Sequence, residues 1–398
     1  MKIDLLSPAT FAQGHPHAQY DWLRAEAPVH WHAEPGGRGF WAVTRYDDVR
    51  AVGRDAENFS SSPTIMIQDP AAGSGMDFGG QHQMMLMMDP PRHTEFRKLI
   101  SREFTRGPAA RLAPRAAELA RQIVDAVIAR GECDFVSEVA GEMPSFVIAE
   151  LMGLPLEDGR KLYELTEIIH TAPDVLPEGA QTAAVMKMFE YARQVIDEKR
   201  ARPADDLATQ ILQAEVDGQR LDDMDFMLFF MLLIDAGGDT TRNLVSAGLL
   251  ALLEHPDEFA RLRGDLDRLL PTAREELLRY TSPVIYMRRT AKRDTVVGGQ
   301  RITAGDKVVM YYGAANRDPA HFARPERLDV GRAQNEHLAF GMGPHICLGQ
   351  HLARVEIDAI LREVFTRMHD IELAEAPEWL PSNFIAGPRR MPVRFRAA

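Results

Sequence analysis

Cys347 is the residue with the clearest chemical potential in this sequence. It lies in the glycine-rich run FGMGPHICLG at residues 340–349, directly before an amphipathic segment at residues 351–368. Free N–H groups and the dipole at the N-terminus of a helix favour an anion, so this position would stabilise a thiolate. Ligation of a metal is the leading reason for stabilising a thiolate here. We therefore interpret Cys347 as a metal ligand.

A second candidate site is the run AGGDTT at residues 236–241, in the middle of a predicted helix. Two adjacent glycines cost a helix about 1 kcal/mol each relative to alanine. They are expected where a substrate or oxygen must approach the backbone, or where the hydrogen-bond ladder is locally open. At such a break Asp239 and Thr240 could relay protons into a buried site. The alternative is a helix-packing notch with a solvated Asp239.

Two pairs of residues have a spacing that places both members on one helix face. His93 and Arg97 are four residues apart and could grip an anion together. Glu276 and Arg279 are three residues apart and could form an ion pair. Taken alone, such residues are usually solvated surface charges.

Together these runs resemble the signatures of the cytochrome P-450 family. FGMGPHICLG is similar to its haem-thiolate loop, and AGGDTT is similar to its acid–alcohol motif. The Glu276 pair and Arg327 resemble its Glu-Arg-Arg triad, although Arg332 could substitute for Arg327. MRRTA at residues 287–291 resembles its F-x-R-x-A element, with Met in place of Phe. The resemblance spans nearly the whole chain.

The resemblance implies roles for these residues. Cys347 would be the axial ligand to the iron of haem b, while Thr240 would steady dioxygen and Asp239 would help to deliver protons. The other haem-binding residues would be a propionate clamp of His93, Arg97, Arg289 and His345, together with Phe340, Gly341, Gly349 and Ala236. Glu276, Arg279 and Arg327 would form a structural network.

The implied reaction is a monooxygenation: one oxygen atom from O₂ enters an unactivated C–H bond and the other leaves as water. No G-x-G-x-x-G run follows a strand, so we expect no internal flavin or nicotinamide site. Electrons would come from an iron–sulfur ferredoxin and its NAD(P)H-dependent reductase. A basic patch could steer an acidic ferredoxin, or could be an ordinary solvated face. Its residues are Arg92, Arg97, Lys98, Arg102, Arg106, Arg111 and Arg115.

Three alternatives stay open at this point. A peroxygenase would use hydrogen peroxide directly, but family members of that type lack the acid–alcohol pair. A non-catalytic haem-binding sensor would need no proton relay. An unrelated helical protein would contain an inert Cys347.

The substrate is the least determined part of the prediction. By position, the pocket would be lined by parts of residues 63–88 and 170–185 and by Met84, Met85, Val284, Ile285, Tyr286 and Phe384. These mostly apolar residues would suit a terpenoid, a steroid or a fatty acid. The methionines could equally be core residues beneath the loop.

Composition limits the remaining possibilities. Neither Cys133 nor Cys347 belongs to a disulfide framework, which favours a reducing cytoplasm, and the family resemblance implies a bacterial one. The net charge of −12 argues against nucleic acid as a partner. The longest apolar run, residues 226–234, is too short to span a membrane. We expect a soluble monomer.

The elements that must position these residues are mainly helical. With 398 residues, 45% of them hydrophobic, and no recognisable linker, we expect one cytochrome P-450 domain over residues 1–398. The helical part would cover residues 90–280 and 347–368. A small β-rich region would comprise residues 28–60, residues 284–312 and the C-terminal tail. Among the predicted helices are 17–26, 156–169, 181–200 and 224–254.

Overall fold

The computed structural model describes residues 1–69, 82–171, 176–216 and 218–398. Helices account for most of its regular structure, in agreement with the predicted fold class. In the described residues they are α1 (His17–Glu26), α2 (Tyr46–Arg54), α3 (Arg92–Ser101), α4 (Arg106–Arg111), α5 (Ala113–Ile128), α6 (Glu142–Met152), α7 (Leu156–His170), α8 (Ala180–Ala201), α9 (Leu207–Gln213), α10 (Asp223–Glu254), α11 (Pro256–Gly264), α12 (Leu266–Thr281), α13 (Tyr312–Ala315) and α14 (Gln350–Arg367).

The strands are short and lie mostly within residues 29–60 and 286–397. They are β1 (Val29–His32), β2 (Phe40–Val43), β3 (Phe59–Ser60), β4 (Glu132–Asp134), β5 (Glu215–Val216), β6 (Gln219–Arg220), β7 (Tyr286–Ala291), β8 (Thr295–Val297), β9 (Gln300–Ile302), β10 (Lys307–Tyr311), β11 (Met368–Leu373), β12 (Glu378–Trp379), β13 (Pro388–Arg390) and β14 (Pro392–Ala397).

The long helix α10 runs through the helical part of the molecule. Asp222 caps it, since its carboxylate accepts a hydrogen bond from the N–H of Asp225 (2.9 Å), and Pro256 starts the next helix directly after it. Helices α6, α7, α8, α12 and α14 all pack against α10. Because neighbours surround it, residues 226–234 are apolar on every side and buried.

The expected break in α10 at the two glycines is not there, because α10 stays helical through Gly237 and Gly238. Gly238 makes room for a neighbouring helix: a Cβ there would lie 3.3 Å from the ring of Tyr163 in α7. A Cβ on Gly237 would meet no protein atom closer than 3.9 Å. Gly238 therefore allows close packing against α7, whereas Gly237 borders open space.

Two sheets bring distant parts of the sequence together. The five-stranded sheet has the order β1-β2-β10-β7-β3, with β10 parallel to β2 and the other neighbours antiparallel. This sheet joins the two β-rich stretches predicted near residues 28–60 and 284–312. A second sheet, β11-β14-β4, pairs the C-terminal strand with β4, which lies in the stretch predicted to be helical.

The loop that carries Cys347 is fixed between α2 and α14. Residues Gly343–His345 form a single 3₁₀ turn, and α14 begins directly after Gly349. Gly343 has a φ of +68°, and a Cβ there would lie 2.3 Å from the Gly53 carbonyl oxygen at the end of α2. Only glycine permits both this conformation and this close approach.

No single helix in the described residues is both long enough and apolar enough to cross a membrane. One bent pair passes the test of length and composition when taken together: Val136–Met152 and Leu156–His170, which meet at 118°.

Candidate active site

A cavity of about 1560 Å³, counting its open mouth, lies among α10, α14 and the loop that carries Cys347. Its lining includes residues from widely separated parts of the sequence. Every predicted haem-binding residue is among them: His93, Arg97, Ala236, Arg289, Phe340, Gly341, His345, Cys347 and Gly349. The structure therefore brings this entire set to one site.

The environment of Cys347 combines burial with nearby positive charge. Burial raises the pKa of Cys347, whereas a hydrogen bond from the Gly349 N–H and the charges of Arg97 and Arg354 act in the opposite direction. The Cys347 N–H donates to the Phe340 carbonyl (2.7 Å), and the Arg354 guanidinium lies 4.6 Å from the Phe340 ring centroid. A metal cation at the sulfur would add to the effects that favour a thiolate.

Four basic side chains face one part of the cavity. The rings of His93 and His345 are 4.0 Å apart, and Nδ1 of His93 is buried without a hydrogen-bond partner in the described residues. Burial, followed by the charges of Arg97 and Arg289, lowers the pKa of His93 to about 4. Burial, with Arg289 as the next cause, lowers the pKa of His345 to about 2.

An anion in the cavity would relieve the repulsion within this group. Burial also lowers the pKa of Arg97 and of Arg289. Arg97 forms no side-chain hydrogen bond or ion pair within the described ranges, and Arg289 donates only to the Arg288 carbonyl (2.9 Å). The donor set fits a ligand with carboxylates such as the two propionates of haem.

Helix α10 forms another wall of the cavity. Ala236 and Thr240 are one turn apart and both line it. The Thr240 hydroxyl donates to the Ala236 carbonyl (3.0 Å), which leaves the lone pairs of the hydroxyl oxygen available to the cavity.

Asp239 faces α7 rather than the cavity and is 1% exposed. Its Oδ2 lies 3.6 Å from Nε2 of His170, and its Oδ1 lies 3.3 Å from Nη2 of Arg242. Neither carboxylate oxygen accepts a hydrogen bond from the described part of the chain. Burial raises the pKa of Asp239 to about 7, and the charge of His170 opposes that rise. Asp239 can therefore both hold and release a proton near neutral pH.

Sequence reasoning missed Glu356, a buried acid on α14 that also lines the cavity. Burial raises its pKa to about 8, while a hydrogen bond to the Thr241 side chain acts the other way. Gly349, Ala353 and Glu356 follow helical spacing and share the lining face of α14. This helical spacing from the Cys347 loop is the sequence pattern that could have identified Glu356.

The predicted substrate residues divide into two groups. Met85 and Val284 line the cavity, whereas Met84 packs against the main core. Residues 70–81 and 172–175, within the predicted 63–88 and 170–185 walls, lie outside the described residues.

Ile285, Tyr286 and Phe384 do not line the described cavity, which corrects the prediction for these three. They belong to a separate hydrophobic cluster with Tyr311, where the Tyr286 ring centroid lies 5.3 Å from that of Phe384. Within β7 the lining residues are Met287 and Arg289, so alternation along the strand directs the side chain of Tyr286 to the opposite face.

The structural network contains Arg332 in place of the predicted Arg327. Arg279 donates to both carboxylate oxygens of Glu276 (2.8 Å each), and Arg332 donates to Oε2 (2.9 Å). The Arg327 side chain is exposed, and only its carbonyl takes part, as an acceptor for Arg279 (3.1 Å). The loop conformation aims the later arginine inward.

A family model for cytochrome P-450 matches residues 5–369 of the chain. The chain belongs to the cytochrome P-450 family.

Curated members of this family include relatives that match almost end to end. The putative cytochrome P-450 126 of Mycobacterium tuberculosis is 39% identical, and the match covers 99% of this chain and 97% of that protein. The methyl-branched lipid omega-hydroxylase of the same organism is 39% identical, with coverage of 94% and 89%. The steroid C26-monooxygenase of Rhodococcus jostii is 35% identical, with coverage of 100% and 85%.

Solved structures of the family agree with the fold. Mycobacterium marinum cytochrome P-450 CYP268A2, in complex with pseudoionone, superposes with a TM-score of 0.92 at 38% identity and covers 99% of each chain. The chain is accordingly a cytochrome P-450 oxidoreductase whose cofactor is haem b.

Proposed function

We propose that this enzyme inserts one oxygen atom from O₂ into a C–H bond of a small hydrophobic substrate, with electrons supplied by a ferredoxin. One cavity supports the proposal, since it brings Cys347, a cluster of four bases and Thr240 into a single space. Haem, when bound, supplies a redox-active iron that activates O₂ for oxygen transfer.

Cys347 is the proposed ligand to the haem iron. The Gly349 N–H stabilises its negative charge, and the stacked pair of Arg354 and Phe340 covers the neighbouring wall. His93, Arg97, Arg289 and His345 would bind the two propionates, because they are the four bases that share one part of the cavity.

Asp239 and Thr240 would move protons into the cavity. Adjacent residues on a helix point about 100° apart, so Thr240 faces the cavity while Asp239 faces α7. Asp239 would pick up a proton on the α7 side and pass it towards Thr240 by turning its carboxyl or through water. The Thr240 hydroxyl oxygen would accept a hydrogen bond from the reacting species.

A terpenoid, steroid or fatty acid substrate suits the remaining walls. The polar lining residues belong to the clamp, the Cys347 loop or the faces of α10 and α14, and the other described residues are largely apolar. They include Met85, Leu86, Leu232, Leu233, Val284 and Met287. Apolar burial contributes about 25 cal/mol per Å², so shape and hydrophobic area would select the substrate. The lipid and steroid activities named for the relatives, and the terpenoid in the marinum structure, fall in these classes.

Spin-state titration of the holoenzyme tests this substrate class. We expect at least one compound from a panel of terpenes, steroids and fatty acids to convert the haem from low to high spin. Leu233→Phe should weaken that response about tenfold or more by filling the cavity, whereas Leu373→Phe, at an exposed position, should not. A response only to small charged ligands would contradict the proposal.

The proposed ferredoxin surface is smaller than the predicted basic patch. Arg97 faces the cavity, and Arg115 pairs with Glu118 and Glu150. Arg102, Arg106 and Arg111 are exposed and make no ion pair within the described ranges. They lie on or beside α4, which packs against α14, the helix that follows Cys347. These three arginines therefore remain as candidates for steering an acidic protein towards the Cys347 side.

Charge reversal tests the electron source. Arg102→Glu with Arg106→Glu should slow ferredoxin-supported turnover about tenfold at low salt, and less at high salt. Arg301→Glu, at an exposed position on the β8–β9 hairpin, is the matched control. An unchanged rate in the double variant would remove the docking surface. Peroxide-driven turnover that matches the reconstituted rate would instead indicate a peroxygenase.

A further inference from the structure

His170, the last residue of α7, connects two acids of α10. Its Nε2 donates to Oδ1 of Asp235 (2.7 Å) and lies 3.6 Å from Oδ2 of Asp239. Asp235 and Asp239 are one helical turn apart, so a single imidazole reaches both. The His170 side chain is 12% exposed, and its ring stacks on Phe384 with centroids 6.0 Å apart.

A second cation lies on the other side of Asp239. Arg242 is 1% exposed, with Nη2 at 3.3 Å from Oδ1 of Asp239 and Nη1 donating to Oε1 of Glu167 (2.9 Å). Each cation is thus hydrogen-bonded to another acid, His170 to Asp235 and Arg242 to Glu167. Within the described ranges, no hydrogen bond to Asp239 accompanies these charges, so none fixes its oxygens.

We infer that His170 is a positioning residue for proton delivery: held by Asp235, it places a positive charge beside Asp239 and leaves that carboxyl free to turn towards Thr240. This role rests on the proposed function of Asp239. It differs from the role of Asp239 itself, because Asp239 would carry the proton towards Thr240, whereas His170 would stay charged and transfer none. His170 would act only through the proton affinity and the mobility of Asp239.

The charges around the pair support an imidazolium at neutral pH. Burial lowers the pKa of His170, but the charge and hydrogen bond of Asp235 and the charge of Asp239 outweigh it and raise the pKa to about 9. On Asp239, burial raises the pKa, His170 lowers it, and Asp235 and Glu167 raise it.

More distant charges reach these groups from α7 itself and from two strands. Glu164 of α7 and Arg389 of β13 act on Glu167, and Asp134 of β4 acts on both Glu167 and Arg242. The charges that act on Asp239 are those of His170, Asp235 and Glu167, with His170 the largest of the three, so loss of the His170 charge should dominate any change in the Asp239 titration.

The test compares His170→Gln with His170→Lys in the holoenzyme. Removing the charge should raise the pKa of Asp239, so Asp239 should release its proton less readily and the alkaline limb of product formed per O₂ consumed should move to higher pH by about one to three pH units. Product at pH 7 should fall about tenfold, with the KM for substrate unchanged. The lysine variant should restore the limb. His321→Gln, at a histidine that stacks on Tyr46, should match the wild type.

A second readout does not depend on turnover. In the reduced, carbon monoxide-bound holoenzyme, ¹³C-labelled histidine should show a His170 resonance that titrates near pH 9 and moves to lower pH in Asp235→Asn. A His170 that is neutral at pH 7, or a glutamine variant with the wild-type pH profile, would overturn the inference. If Asp239→Asn itself keeps full product formation, the proposed role of Asp239 is what fails.

Discussion

Two buried carboxylates, Glu276 and Asp239, show how differently this molecule treats acid groups. Both are at most 1% exposed, and both lie beside two cations. Glu276 accepts five hydrogen bonds: from Nε and Nη2 of Arg279 (2.8 Å each), Nε of Arg332 (2.9 Å), Nδ2 of Asn335 (3.0 Å) and the N–H of Asp329 (2.9 Å). Asp239 accepts none from the described residues.

The difference supports a structural role for Glu276 and the proposed proton-delivery role for Asp239. A buried ion pair with every lone pair satisfied has one geometry, and Glu276 accordingly ties α12 to the loop that contains Arg332 and Asn335. A buried carboxyl without hydrogen bonds keeps a raised pKa and can reorient. Asp239 should therefore stabilise the fold less than Glu276 does, and its carboxyl should be able to exchange protons, as the proposed role requires.

The largest expected effect comes from breaking the structural network. Glu276→Gln leaves Arg279 and Arg332 without a buried counter-charge, which should destabilise the fold by about 3–5 kcal/mol and lower the haem content. Thermal unfolding followed by circular dichroism measures the loss. Glu378→Gln, which breaks an exposed pair with Arg389, should cost less than about 1 kcal/mol. Equal losses in the two variants would show that the network does not stabilise the fold.

Asp239→Asn should have a large effect on activity and a small effect on stability, in contrast to Glu276→Gln. Product formation should fall about 100-fold because the amide cannot carry a proton. The melting temperature should change far less than in Glu276→Gln, since His170 keeps Asp235 and Arg242 keeps Glu167. Assays of product and O₂ consumption measure the effect on activity, and thermal unfolding measures the effect on stability. A variant that loses stability and activity in parallel would contradict the contrast between the two acids.

Thr240→Ala should have a smaller effect, on coupling. O₂ consumption should continue while product formed per O₂ falls about tenfold, because the Thr240 hydroxyl, which lines the cavity next to Asp239, is lost. Thr240→Ser retains the hydroxyl and should retain most of the coupling. Undiminished coupling in the alanine variant would remove Thr240 from proton delivery.

The smallest effect is the pH dependence of stability at His170. Its pKa is raised in the folded state from 6.5 to about 9, so its stabilising contribution is complete below pH 6.5 and is lost as the pH rises through 9. The melting temperature of the wild type should exceed that of His170→Gln by a few degrees at pH 6 and match it near pH 10. A difference that does not vary with pH would indicate packing rather than charge.

Local patterns in the sequence located the helices well. The predicted helices at residues 17–26 and 224–254 correspond to α1 and α10 within one residue at each end, since periodicity and capping are local. The pairing of β4 with β14 depends on strands more than 250 residues apart, at Cys133 and Val393. No local sequence pattern indicates such a pairing.

The site was predictable wherever a motif carried it. The resemblance identified the clamp residues and Cys347, which the fold collects in one cavity. It favoured Arg327 over Arg332 and was wrong there, because the loop conformation decides which side chain turns inward. It also missed His170, whose partner Asp235 is 65 residues away on another helix.

The spectrum of the reduced, carbon monoxide-bound protein tests the central claim most directly, and the chain offers a matched control in its second cysteine. Cys133 is buried in β4, where burial raises its pKa to about 12. The account predicts the red-shifted Soret band of thiolate ligation in the wild type and in Cys133→Ser, and its loss in Cys347→Ser. A band that survives in Cys347→Ser, or that disappears only in Cys133→Ser, would contradict it.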